Sequence, residues 1–234
     1  MKGRSFALIA AALLICALAL SLGCSTTDQS RAPRQEIAWI PKKLAVMPFI
    51  RVDSPIQPGG TVSCPLTGAV FNSGQIIPGA ERVLDDALNN DLAQVTAVPF
   101  VPYAQTGLVF GRIAGREFKD TLRKDVMAAG EKLGADAVLV GFIFRFRQRQ
   151  GTGYAVDKPA SVAFDLSVVR VSDGTVLWKN SFDETQQSLS QDLLNLDQYM
   201  KHGLRWYTAE ELGKIGMARL LERFPWRKAA AKTE

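Results

Sequence analysis

The sequence predicts an α/β fold: a mixed β-sheet packed with helices in a single domain, carrying two additional C-terminal helices. Three observations lead there. Short apolar runs of strand length recur at residues 44–49, 137–140 and 162–171. Stretches of helical periodicity alternate with them, and an Asp-Gly hairpin signal sits late in the chain. No internal repeat breaks the order, which is the pattern of one layered α/β domain over residues 42–226.

Taken in order, Leu44-Ala45-Val46-Met47-Pro48-Phe49 reads as a buried strand that Pro48 brings to its end. Residues 53–79 hold Pro55, Pro58, Pro65 and Pro78 with five glycines, the composition of a long loop. Loops of that length are often functional. From Gly79, residues Val83, Leu84, Ala87, Leu88 and Leu92 share one helical face, and residues 95–101 predict a second strand. Phe118, Leu122, Val126, Ala129 and Leu133 repeat at helical spacing, with Gly134 placed to end the helix.

The next strand starts at Ala137 and runs on to Arg149. Strict alternation puts Phe142, Phe144 and Phe146 on one side and Arg145, Arg147 and Arg149 on the other. Gly151-Thr152-Gly153 turns the chain into a strand over 161–171, with Val162, Phe164, Leu166 and Val168 on one face. Asp173-Gly174 then marks a hairpin, and Thr175-Val176-Leu177-Trp178 starts the returning strand. Ser188-Leu189-Ser190-Gln191 and Thr208-Ala209-Glu210-Glu211 are capping boxes that open the last two helices. Residues 227–234, with three consecutive alanines, predict a frayed tail.

Ahead of the domain the chain has a different character. Lys2 and Arg4 precede an apolar stretch from residue 6 to 20 and then Leu20-Ser21-Leu22-Gly23-Cys24. A basic start, a short apolar run and small residues describe a secretory signal peptide over residues 1–23. The run is short for a membrane-spanning helix, which needs about 20 apolar residues; an uncleaved anchor is the alternative. Gly23-Cys24 followed by Ser25-Thr26-Thr27 resembles a bacterial lipobox, in which the cysteine is acylated, although Ser21 stands where leucine is usual. Residues 24–41 then read as a lipidated cysteine and flexible tether. Each buried methylene contributes about 0.8 kcal/mol, so two or three acyl chains hold a protein to a bilayer. Ser25 after the cysteine favours the outer membrane facing the periplasm, with the inner membrane as the alternative.

Processing also resets the composition. Loss of residues 1–23 removes Lys2, Arg4 and Cys16, so the net charge falls from +5 to +3 and the cysteines left are Cys24 and Cys64. Cys64 has no intrachain partner and is either buried or available for an intermolecular bond. His202 is the only histidine and reads as a polar cap near a helix end, so no metal site is expected. No nucleophile elbow or phosphate loop is present; Gly111 and Gly115 are too sparse for one. Asp85-Asp86 and Asp183-Glu184 read as solvated pairs, so no catalytic residues and no cofactor are expected. Arg145, Arg147 and Arg149 are the candidate site: a guanidinium row about 7 Å in spacing, suited to an anionic partner. The competing reading is a solvated face paired with residues such as Asp165. An exported protein is not expected to meet nucleic acid.

Three phrases carry a family resemblance: Leu44-Ala45-Val46-Met47-Pro48-Phe49, Gly134-Ala135-Asp136-Ala137-Val138-Leu139-Val140-Gly141 and Asp173-Gly174-Thr175-Val176-Leu177-Trp178. Together they resemble periplasmic domains of the group containing the curli secretion lipoprotein, the lipoprotein activators of penicillin-binding proteins, and the N-terminal domain of the Tol-Pal translocation protein. The resemblance covers residues 42–185 and its motifs mark strands and turns. It implies a docking or assembly module with a protein partner in the envelope, not an enzyme. The loop at 53–79 and the two C-terminal helices depart from it. An alternative follows from the same group: an oligomeric secretion-channel component in which strands 138–150 and 160–171 of several copies close a barrel. The sequence sets no oligomeric state.

Overall fold

The computed structural model of the protein describes residues 38–53, 60–113, 118–152, 156–186 and 206–228. Its centre is a six-stranded mixed sheet. Strand β1 (Leu44–Val46) lies between β5 (Phe100–Val101) and β6 (Ala137–Arg147), parallel to both. From β6 the sheet continues antiparallel through β9 (Ser161–Arg170) to β10 (Val176–Thr185) at the edge. Strand β2 (Ile50–Arg51) also pairs with β6, so β1 and β2 are one strand interrupted at Pro48. The interruption has a definite compensation: the Phe49 amide donates to the Asp85 carboxylate at 2.7 Å instead.

Helices cover both faces. On one side lie α1 (Ala80–Val95) and α4 (Ala209–Glu222), packed over Leu139, Ile143, Phe146, Phe164 and Leu166. On the other lie α2 (Tyr103–Ile113) and α3 (Phe118–Lys132), with the hairpin β3 (Thr61–Ser63)–β4 (Val70–Asn72) beside them. That face buries Met47, Phe71, Phe142, Phe144 and Val140. Burial on two sides explains why β6 and β9 read as continuous apolar runs. A second small hairpin joins β7 (Gln150–Gly151) to β8 (Val156–Lys158).

Several local expectations meet their physical cause. Gly134 takes φ +60° after α3, the left-handed conformation that glycine adopts without strain. Gly174 takes φ +70° in the β9–β10 turn. Thr208 caps α4 by accepting from the Glu211 amide, while the Glu211 carboxylate accepts from the Thr208 amide.

Other expectations are corrected. The loop over 53–79 contains β3 and β4, and Ile76 bridges to Phe146. The strand over 95–101 shortens to β5, and α2 follows it where none was expected. Trp39 and residues 227–228 belong to the packed fold: the Trp226 indole donates to the Trp39 carbonyl, and the Lys228 amide donates to Val95. The helix expected after Ser188 and His202 lie outside the described residues. The proposed pore wall fails on placement. Strands β6 and β9 lie in the interior of the sheet, their apolar side chains sheathed by helices on both faces, so they present no lipid-facing side. Among the described residues no helix is long and apolar enough to cross a membrane.

Candidate functional site

The arginine row begins on β6, and its geometry turns on one bulge. Ile143 pairs with Phe164 and Arg145 with Ala163, which leaves Phe144 as an extra residue without a partner on β9. The bulge breaks the alternation. Phe142 and Phe144 join the α2/α3 core while Phe146 joins the α1/α4 core. Arg145, paired with Ala163 of the α2/α3 core, points to the same side as the two phenylalanines it was expected to oppose.

Arg145 is buried, 7% exposed. Its Nε donates to Ser161 Oγ at 2.6 Å, its Nη1 to the Asn72 carbonyl at 2.7 Å, and its Nη2 to the Asp183 carboxylate. One guanidinium therefore fastens β4, β9 and β10 to β6. Gly74 is what lets the chain approach, since a Cβ there would meet Arg145 Cδ and Cγ at 2.7 Å. Arg147 is half-buried, and its Nη2 reaches the Pro159 carbonyl at 3.5 Å. Arg149 lies beyond the end of β6 and donates to the Trp206 carbonyl. The three residues hold three different parts of the fold, so the expected flat anionic docking row is not formed. The acid opposite Arg145 is Asp183, not Asp165.

Asp165 belongs to a second cluster on that face, below the β3–β4 hairpin. It is 3% exposed, and burial pushes its carboxyl up to about 7. The Cys64 thiol, the Phe142 amide and the Lys179 charge pull it part of the way back. Asp165 Oδ1 and Ser167 Oγ are buried and have no hydrogen-bond partner among the described residues. Cys64 is 2% exposed; burial, then the Asp165 charge, pushes its thiol up to about 11. A thiol so placed is protonated at neutral pH and poorly nucleophilic. Of the two readings left for Cys64, burial holds.

Above this cluster lies an open cleft of about 310 Å³ lined by Leu66, Thr67, Arg123, Trp178 and Lys179 among others. The Arg123 guanidinium donates to the carbonyls of Gly174 at 2.5 Å and Leu66 at 2.9 Å, tying α3 to both hairpins.

The paired acids are also engaged. Burial pushes Asp85 up to about 7, with the Phe49 amide pulling it back. Asp86 accepts from the Tyr103 hydroxyl at 2.8 Å. Glu184 pairs with Arg219 at 2.5 Å. These are structural contacts, where solvated side chains were expected. Asp165 was legible as a single carboxylate inside an apolar strand; its pairing with Cys64 was not, because the hairpin that brings Cys64 over was read as loop. Among the described residues no three His, Cys, Asp or Glu side chains gather as a metal site.

No protein-family model matches the sequence, and no curated protein matches it. Several solved structures are similar in backbone arrangement. The PelC dodecamer from Paraburkholderia phytofirmans is 15% identical with a TM-score of 0.41, covering 80% of this chain and 89% of that one. Lipoprotein GNA1162 from Neisseria meningitidis is 14% identical with a TM-score of 0.41, covering 69% and 99%. The LpoB C-terminal domain from Escherichia coli is 14% identical with a TM-score of 0.34, covering 62% and 82%. These likenesses concern backbone arrangement; assembly states and partners in those descriptions belong to those proteins.

Proposed function

We propose that the protein is a non-enzymatic envelope lipoprotein, held by acyl chains on Cys24 to the outer membrane and facing the periplasm, where it docks onto a protein assembly. The inner membrane is the alternative address. The observation that carries this reading is the position of Cys24. It closes a basic-then-apolar leader and stands fourteen residues ahead of Ala38, where the described fold starts. The non-enzymatic part is supported by the state of the polar groups: Arg145 is locked in hydrogen bonds and Cys64 is held as a buried thiol.

The anchor is tested by fractionation and acyl labelling of wild type and Cys24→Ala. Wild type is expected in the membrane fraction carrying label; a Cys24→Ala chain that stays with membranes overturns the reading. The docking role is tested by crosslinking in the living envelope. A reproducible protein adduct supports it, and a chain that crosslinks to nothing counts against it. Sizing of the detergent-solubilised protein separates an accessory module from a ring-forming secretion component.

A further inference from the structure

The end of the sheet at which β1 enters has a surface character of its own. Contacts bring its parts together: Lys42 and Lys43 donate their amides to Asp136, Trp39 meets Trp226 edge to face at 6.2 Å, and Arg227 bridges to Thr96 at the end of α1. Arg170 sits over the Trp39 ring at 5.3 Å, and the Trp178 indole donates to the Arg223 carbonyl beyond α4. Lys42, Lys132, Arg223, Arg227 and Lys228 are exposed across this end, and Ile40 beside them is 65% exposed. The acids here are Glu131, Glu222, Asp136 and Asp173; Asp136 accepts the two backbone amides and Asp173 pairs with Arg170. The opposite end carries Glu81, Glu210 and Glu211 in the first turns of α1 and α4, with Glu81 paired to Arg51 and Glu210 to Lys214, and Arg147 and Arg149 lie there as well. Exposed lysines and arginines therefore outnumber the exposed acids where the chain comes in.

That cationic end is also where the chain leaves for Cys24. Fourteen residues, fully extended, span at most about 50 Å. Resting on the anchor reading above, we propose that this end of the fold lies against an anionic phospholipid surface, with Ile40 and the exposed lysines and arginines at the headgroups. Charge complementarity and the exit point of the chain select this partner. A lysine or arginine close to such a surface strengthens binding about fivefold, and the effect fades with salt. Cations at helix C-termini also complement the helix dipole, a purely structural role that would leave vesicle binding untouched.

The test uses the chain from residue 24 with Cys24→Ala, so that no acyl chain contributes and the result does not depend on lipidation. Sedimentation is measured with phosphatidylcholine vesicles and with vesicles holding about 30% phosphatidylglycerol at low salt. Binding to the anionic vesicles alone is expected. The combined Lys42→Gln, Lys132→Gln and Arg227→Gln variant is expected to lose about a hundredfold. The charge-matched Arg82→Gln, Lys158→Gln and Lys214→Gln variant is expected to stay within about twofold of wild type, since non-contacting charges act only through screened fields. Equal losses in the two variants, or no preference of the parent chain for anionic vesicles, overturn the proposal. A second measurement needs no substitution. Vesicles should protect Lys42 and Lys228 from an amine-acylating reagent and leave Lys214 reactive; uniform reactivity overturns the proposal as well.

Discussion

On the α1/α4 side the central sheet presents Leu139, Ile143, Phe146, Phe164 and Leu166, none more than 1% exposed. On the α2/α3 side the same strands present Phe142 and Phe144 together with Arg145, Asp165 and Ser167, all buried, with Arg145 the most exposed at 7%. The sheet side chains named on one face are all apolar, whereas on the other a guanidinium and a carboxylate are buried among them. Apolar packing tolerates exchange at conserved size, whereas a buried guanidinium or carboxylate is tolerable only with its partners in place. The difference teaches which substitutions each face should punish.

The largest expected effect is on the apolar side. Phe146→Ala should cost about 3–5 kcal/mol, read from the urea midpoint. A methyl on Gly213 would meet the Phe146 ring at 3.0 Å, so Gly213→Ala should be better tolerated in the Phe146→Ala background. Strict additivity would place Phe146 on the other face. Next comes Arg145→Met, expected to cost about 2–3 kcal/mol, below the range for a fully buried pair because Asp183 retains 35% side-chain exposure. The same change at Arg149 should cost under about 1 kcal/mol. If the two arginines cost the same, the contrast between an internal clamp and a peripheral contact is lost.

The third effect depends on pH. Asp165 has a folded pKa of about 7, against about 4 in the unfolded chain. Between those values the unfolded chain releases a proton that the folded chain keeps, so this group's contribution to stability falls as pH rises from about 4 to about 7 and is flat above. Asp165→Asn removes that fall and should gain on wild type by about 1 kcal/mol or more at pH 8 relative to pH 4. Parallel stability curves for the two proteins would show the carboxyl ionised in the fold. The smallest effect is Thr208→Ala, about 1 kcal/mol from loss of the α4 cap. Hydrogen exchange should rise in α4 and leave the β3–β4 hairpin unchanged; a rise in both would mean the two faces are not independent.

The elements readable in the sequence are those whose signal is local. Leu84, Leu88 and Leu92 mark α1 by spacing, Asp173-Gly174 marks the β9–β10 turn, and Thr208 with Glu211 marks the start of α4. The missed features depend on distant residues. The bulge at Phe144 exists only relative to Ala163 and Phe164 on the partner strand, and a one-residue insertion reverses every facing after it. The alternation of phenylalanine and arginine was therefore real in sequence and broken in space. Strands β3 and β4 have three residues each amid prolines and glycines, too few for a period-two pattern. Helix α2 contains Gly107 and Gly111, which lower its propensity, and Gly107 is needed because a Cβ there would meet Pro48 at 2.8 Å.

The placement of β1 between β5 and β6 also has a mechanical meaning. The chain enters at Trp39, and β1 is bonded on both sides, with Leu44 donating to Pro99 and Met47 to Leu139. A pull delivered through the preceding residues, with the far end of the domain held by a partner, runs along the strand. It loads the bonds to β5 and to β6 together in shear, two rows where an edge strand pulled the same way would load one. The point of entry would then be a handle through which the domain could bear tension between a surface and whatever it grips.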